Sequence, residues 1–235
     1  MAKMTVLEMT QNILNDMDSD AVNSIDDTEE SIQIAEIVRQ SYYNLCALRD
    51  WPFLRTLTVL EGLADTAHPT TMLIPETVNK ILWFKYNKKD VTYLDPKDFL
   101  DVIDKRTPTA SIIDSNGYGL NRDPQYWTTY DDKYIVLDSR NSATDTTLIG
   151  SKSKIYAVLA PVWTAEDDFI PLMPEKMFST LLASAKSTAF LALKQQANPK
   201  EESYASRGIT RAQNESWRVD AGETGVYNKQ DYGRK

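Results

Sequence analysis

Apolar positions along this chain follow three regimes. Val6, Met9, Ile13, Leu14 and Met17 recur at spacings of three and four, which predicts an amphipathic helix over 5–17. A polar connection over 18–25 follows, and a second helix is expected to start near Asp27 or Thr28. Asp27 with Glu30 three positions on has the form of a capping box, and acids in a first turn complement the helix dipole. Ile34, Val38, Tyr42 and Leu45 supply its buried stripe. Trp51-Pro52-Phe53 ends it, because the residue before a proline leaves the α region.

The helical period then disappears. Runs rich in Val, Ile, Thr, Tyr and Trp predict strands over 55–60, 78–86, 91–94, 125–130, 133–137 and 154–159. Asp131-Asp132 reads as a hairpin turn. Residues 96–103 read as a short helix, with Asp95 as N-cap and Pro96 at the first helical position. The 115–121 stretch, Ser-Asn-Gly-Tyr-Gly-Leu-Asn, reads as the most flexible loop. The helical period returns at Pro174, with Phe178, Leu181, Leu182, Ala185, Ala189 and Leu193 on one stripe and Ser179, Ser184, Ser187 and Thr188 outside it. Asn198-Pro199 is a further start signal. The stretch 201–218 is mostly polar, and such a helix needs a partner or many charge pairs. Residues 219–235 hold three glycines and little apolar content, so an extended, disordered tail is expected there.

Together these elements predict an α+β fold. N-terminal helices (1–52) and C-terminal helices (163–218) form a helical bundle, a β-rich domain (53–162) is inserted in it, and an extended tail (219–235) follows. Proline placement supports the division: all ten prolines lie between Pro52 and Pro199. A truncation after about residue 200 is expected to leave a folded protein that has lost its partner.

Composition narrows the function classes. With 235 residues, 42% apolar and 26% charged, the chain can bury a core without metal or disulfide. A single cysteine, Cys46, excludes an internal disulfide and fits folding in a reducing cytoplasm. The opening residues carry no apolar signal segment, so no export is expected. The longest apolar run, 155–163, falls far short of the roughly 20 residues a membrane helix needs. A net charge of −8 argues against wrapping nucleic acid, since that relies on Lys and Arg at phosphates. Most of the excess lies in residues 1–50, which hold ten acids and three bases.

Catalytic signatures are sparse. There is no phosphate-binding glycine loop and no nucleophile elbow. The one histidine, His68, reads as an ordinary loop residue, and Cys46 as a small core residue. Asp16, Asp18, Asp20 and Asp27 occupy positions 1, 3, 5 and 12 of a calcium-loop pattern. Ala21 stands where that loop wants glycine, and Asp27 where it wants a bidentate Glu, so a solvated acidic connection is expected. Asp131-Asp132 and Asp167-Asp168 offer carboxylate pairs of the kind a glycosidase uses, but neighbouring acids more often serve turns. Neither metal nor cofactor is expected, and the chain reads as a non-enzyme.

Several segments resemble the head-to-tail adaptor (connector) proteins of tailed phages, called tail tubular protein A in short-tailed phages. They are Val-Leu-Glu-Met-Thr-Gln-Asn-Ile-Leu at 6–14, the run from Asp18 to Thr28, and Arg-Asp-Trp-Pro-Phe at 49–53. Leu-Trp-Phe-Lys-Tyr-Asn at 82–87, Ala-Lys-Ser-Thr-Ala-Phe at 185–190, Asn-Pro-Lys at 198–200 and Tyr-Gly-Arg-Lys at 232–235 fit the same pattern. The resemblance spans most of the chain and rests on the order of these segments. It implies a virion structural protein, assembled in the host cytoplasm, that forms a homo-oligomeric ring, commonly dodecameric, between the portal protein and the tail nozzle protein. Genomic DNA would pass through the central channel without specific binding, and no membrane is involved. The acidic bias of residues 1–50 would suit the channel wall, where a negative lining gives DNA nothing to adhere to.

On that resemblance Tyr204, Arg207, Arg211, Trp217, Arg218, Tyr227, Tyr232 and Arg234 are the candidate portal contacts, since Trp, Tyr and Arg most often anchor interfaces. Asn116, Gly117, Tyr118, Gly119, Asn121 and Arg122 are the candidate nozzle contacts. The competing readings are a virion-associated cell-wall glycosidase, a tail-tube subunit, and a small binding module of a cellular protein.

Overall fold

The computed structural model describes residues 3–106, 113, 116–131 and 133–224. Among these the helices are α1 (Val6–Asp16), α2 (Glu29–Ala47), α3 (Pro96–Asp104), α4 (Glu175–Lys194) and α5 (Pro199–Thr224). Residues 3–54 and 161–224 form one compact unit, and residues 55–160 form another. The fold is thus α+β, with N- and C-terminal helices and a β unit between them in the sequence.

In the helical unit, α1 starts where its cap chemistry says it should. Thr5 accepts from the Glu8 amide, and the Glu8 carboxylate accepts from the Thr5 amide. The whole predicted stripe, Val6, Met9, Ile13, Leu14 and Met17, is buried. Two further orphan amides of the first turn, at Val6 and Leu7, donate to the carbonyls of Phe169 and Asp167 at 2.9 and 3.2 Å. Residues 161–174 therefore run across the start of α1, and Trp163 packs against Tyr42 and Phe169.

The cap of α2 differs from the expected one. Thr28 is the N-cap and pairs reciprocally with Ser31, while Glu30 accepts instead from the Ser19 hydroxyl. The Asp27 carboxylate turns back to the amides of Asn23 and Ser24. A hydroxyl at the first helical turn outcompeted the acid pair because Ser31 is buried and also reaches the Ile25 carbonyl at 2.8 Å. The stripe Ile34, Val38, Tyr42 and Leu45 is buried as the spacing predicts.

Helix α4 begins one residue later than expected, with Pro174 as its N-cap, and packs on α1, α2 and α5. Lys186 on α4 pairs with Asp16 on α1 at 2.5 Å. Small residues along α4, Ala183, Ala185 and Ala189, are buried. Helix α5 does not stop at Arg218: it continues to Thr224, so residues 219–224 are helix and not tail. Residues 225–235, the rest of the expected tail, lie outside the described residues.

The β unit holds two sheets. One has the order β1 (Arg55–Thr58), β9 (Ser153–Leu159), β4 (Val78–Tyr86), β5 (Lys89–Asp90). The other has the order β2 (Glu61–Gly62), β3 (Thr71–Leu73), β8 (Tyr134–Leu137), β7 (Tyr126–Thr129), β6 (Thr92–Tyr93). All pairings are antiparallel except β6 with β7. The sheets share one core of Leu60, Met72, Phe84, Tyr86, Trp127, Ile135, Leu137, Ile155 and their neighbours. In β9, Ile155 and Ala157 face inward while Lys154 and Tyr156 alternate outward, the period-2 pattern of a half-buried strand. The first and last strands are partners, with Arg55 opposite Val158, so the unit begins and ends at one place.

Candidate partner-binding surfaces

Helix α5 carries the first candidate surface. Its inner side meets α4 closely: a Cβ added at Gly208 would lie 2.2 Å from the Thr180 hydroxyl oxygen. A glycine inside a helix costs about 1 kcal/mol relative to alanine, so its presence is explained by this approach of two backbones. Ala205 and Ser216 are buried on the same side, and the Gln213 carbonyl accepts from Arg49. Tyr204, Arg207 and Arg211 point outward. Tyr204 is 50% exposed, with the Lys200 ammonium 6.0 Å from its ring centre. Trp217 and Arg218 are on the helix, but their side chains lie outside the described residues, as do Tyr227, Tyr232 and Arg234.

Between α5, the first turns of α4 and the 51–53 corner lies a cleft of about 720 Å³. Trp51, Pro52 and Phe53 form one wall, with the Trp51 and Phe53 rings stacked 6.0 Å apart. The Trp51 indole donates to the Leu45 carbonyl at 2.7 Å, which fixes the corner at the end of α2. Met177 and Thr180 supply the α4 side. Around the opening stand Lys176, Arg207 and Arg211 with one acid, Glu215. Glu215 is 3.5 Å from the Lys176 ammonium and 3.4 Å from Arg211. Arg207 has no ion-pair partner among the described residues. On the cleft wall, Ser216 keeps a buried hydroxyl oxygen without a hydrogen-bond partner.

The second candidate surface, the 116–122 loop, is tied down and not loose. Asp138, completely buried, accepts from Arg106 at 2.6 Å and Arg122 at 2.7 Å through one oxygen. Its other oxygen accepts from the amides of Gln125 and Tyr126 at 2.8 and 2.9 Å. Arg106 also donates to the carbonyls of Gly117 and Asp138. The two glycines that suggested flexibility are there for close approach. Gly117 has φ +83° and its missing Cβ would meet Ile103 at 2.6 Å, while the Gly119 amide donates to the Asp138 carbonyl at 3.0 Å. Of the candidate nozzle contacts, Asn116 and Asn121 are exposed, Tyr118 and Arg122 are half-buried, and Gly117 and Gly119 are buried. Sequence reasoning missed Asp138 and Arg106, since neither stands in a local pattern.

The residues weighed for catalysis have other occupations. Asp16 pairs with Lys186 and Asp27 caps its own turn, and among the described residues no three of His, Cys, Asp and Glu gather to hold a metal. Asp131 accepts from the amides of Lys133 and Tyr134 in the β7–β8 turn, and Asp132 lies outside the described residues. Asp167 accepts from the Ile25 amide at 2.8 Å and the Ser24 hydroxyl, tethering the α1–α2 connection. His68 is exposed and its Nδ1 faces Asp65 at 2.9 Å, a contact that lowers the Asp65 pKa. Cys46 is buried beside Tyr42, and burial pushes its thiol up to about 11, so it is a poor nucleophile near neutrality. Among the described residues, no helix is long and apolar enough to cross a membrane. No protein-family model matches the chain, and no curated protein matches it.

Proposed function

We propose that this chain is a head-to-tail adaptor of a tailed phage: a virion subunit that assembles as a dodecameric ring between the portal and the tail nozzle. The observation that carries the reading is the order of the two units. Residues 3–54 and 161–224 build one helical unit, and residues 55–160, inserted between them in the sequence, build a β unit with its own core, the arrangement that the resemblance implies. Helix α5 adds support. It is polar on its outer side, presents Tyr204 and two arginines, and leads into the C-terminal segment that would engage the portal. The rigid 116–122 loop is a ready contact for the nozzle, because a pinned loop loses little entropy on binding. Asp18, Asp20 and Asp26, all exposed, are the candidate channel-facing acids.

Light scattering on a sizing column tests this, with the chain first alone and then mixed with the portal of the same phage. The expected result is a complex in which the chain joins the portal as a ring of defined copy number. A chain that ignores the portal sinks the adaptor reading.

A further inference from the structure

We infer that the cleft beside α5 receives the acidic outer face of α2 from a second copy of this chain. This rests on the reading of the chain as a ring subunit and names the surfaces that meet. The cleft has an apolar wall of Pro52, Phe53 and Met177, three cations to one carboxylate at its opening, and an unsatisfied hydroxyl at Ser216. Such a hollow suits an apolar anchor flanked by acids.

The chain carries that combination elsewhere on the same unit. Glu29, Ile32 and Glu36 lie at spacings of three and four on α2, on one face, and all are exposed. Ile32 is 49% exposed, an apolar side chain between two acids. Glu36 shares its charge with Arg39 at 2.5 Å, so Glu29 and its first-turn neighbours carry most of the field. The cleft touches α2 only past its C-terminal end, at Trp51. Glu29 lies at the other end, about 27 Å away along the axis at 1.5 Å per residue, so the two surfaces of one copy cannot meet. The chain's own last eleven residues are a poor occupant, because they hold three bases and one acid and would face the Lys176, Arg207 and Arg211 cluster. An α2 face meeting a different patch on its neighbour is a heterologous contact, the kind that propagates until a ring closes. Arg207 and Arg211 then serve the contact between copies, and the later part of α5 is left for the portal.

Charge reversal tests the contact. Light scattering on the full chain at low salt, over rising concentration, is expected to show self-association that weakens as salt is added. The pair Glu29→Lys with Glu36→Lys, and separately Arg207→Glu with Arg211→Glu, are each expected to weaken it by about tenfold or more. An equimolar mixture of the two variants is expected to regain association, because each then offers a face of the sign the other's cleft requires. That recovery also shows that both variants fold. Variants that associate like the wild type, a mixture that stays monomeric, or a wild-type chain that never associates would each overturn the proposal. A wild-type chain that is monomeric alone yet forms a ring on the portal would do so while leaving the adaptor reading standing.

Discussion

Asp138 is the residue on which the β unit's loops depend. It is buried with two guanidinium groups and two amides on its carboxylate, and Arg106 is itself largely buried. Removing one partner of a buried charge pair leaves the other uncompensated, which costs about 3–5 kcal/mol. Asp138→Ala is expected to lose that much in urea denaturation, and Asp138→Asn, which keeps the shape but not the charge, is expected to lose less. Gly208 makes the opposite case, where nothing can be added. Gly208→Ala would gain about 1 kcal/mol of helix propensity but forces overpacking that costs about 1–3 kcal/mol. A lowered melting midpoint is expected. Thr180→Ala in the same chain should restore part of it, because the two nearest atoms, at 2.2 and 2.9 Å, are then gone.

At the scale of elements, α5 changes one expectation. Its polarity suggested a detachable helix, and truncation after residue 200 was expected to spare the fold. Yet α5 covers α4 through Gly208, Ala205 and Ser216. The truncation would uncover Thr180 and Met177 on α4, and each fully buried apolar side chain exposed costs about 1.5–3 kcal/mol. The chain ending at residue 200 is therefore expected to melt earlier than the full chain by circular dichroism at the helical band. An unchanged midpoint would mean that α5 contributes no packing. The helices were the most legible elements: α1, α3 and α4 stand within two residues of their predicted spans, while α2 starts as expected but ends at Ala47, ahead of the stop expected at Trp51-Pro52. The strands β2, β3 and β5 were not legible: two- and three-residue strands have no room for a period, and only their partners define them.

For the molecule as a whole, the β unit closes on itself. Its first and last strands pair, and among the described residues its core cluster draws on none outside 55–160. Residues 55–160 expressed alone are expected to fold cooperatively, with a sharp urea transition in the emission of the buried Trp127. A broad, non-cooperative transition would show that the unit needs the rest of the chain. The termini of such an insertion must lie close together, and Arg55 opposite Val158 supplies that.

The sequence by itself determined what depends on near neighbours. Period, capping by Thr5 and Glu8, and the Asp131 turn are each written within a few positions of one another. It also marked the shift from helix to strand and back, hence the insertion. Only the tertiary structure decided which distant residues meet. Asp138 lies 32 positions from Arg106, and Asp167 lies 142 from Ile25. The cleft joins Trp51 to Arg207. A contact of that kind leaves no local pattern, because its energy depends on burial and on a geometry that exists only once the intervening chain has folded.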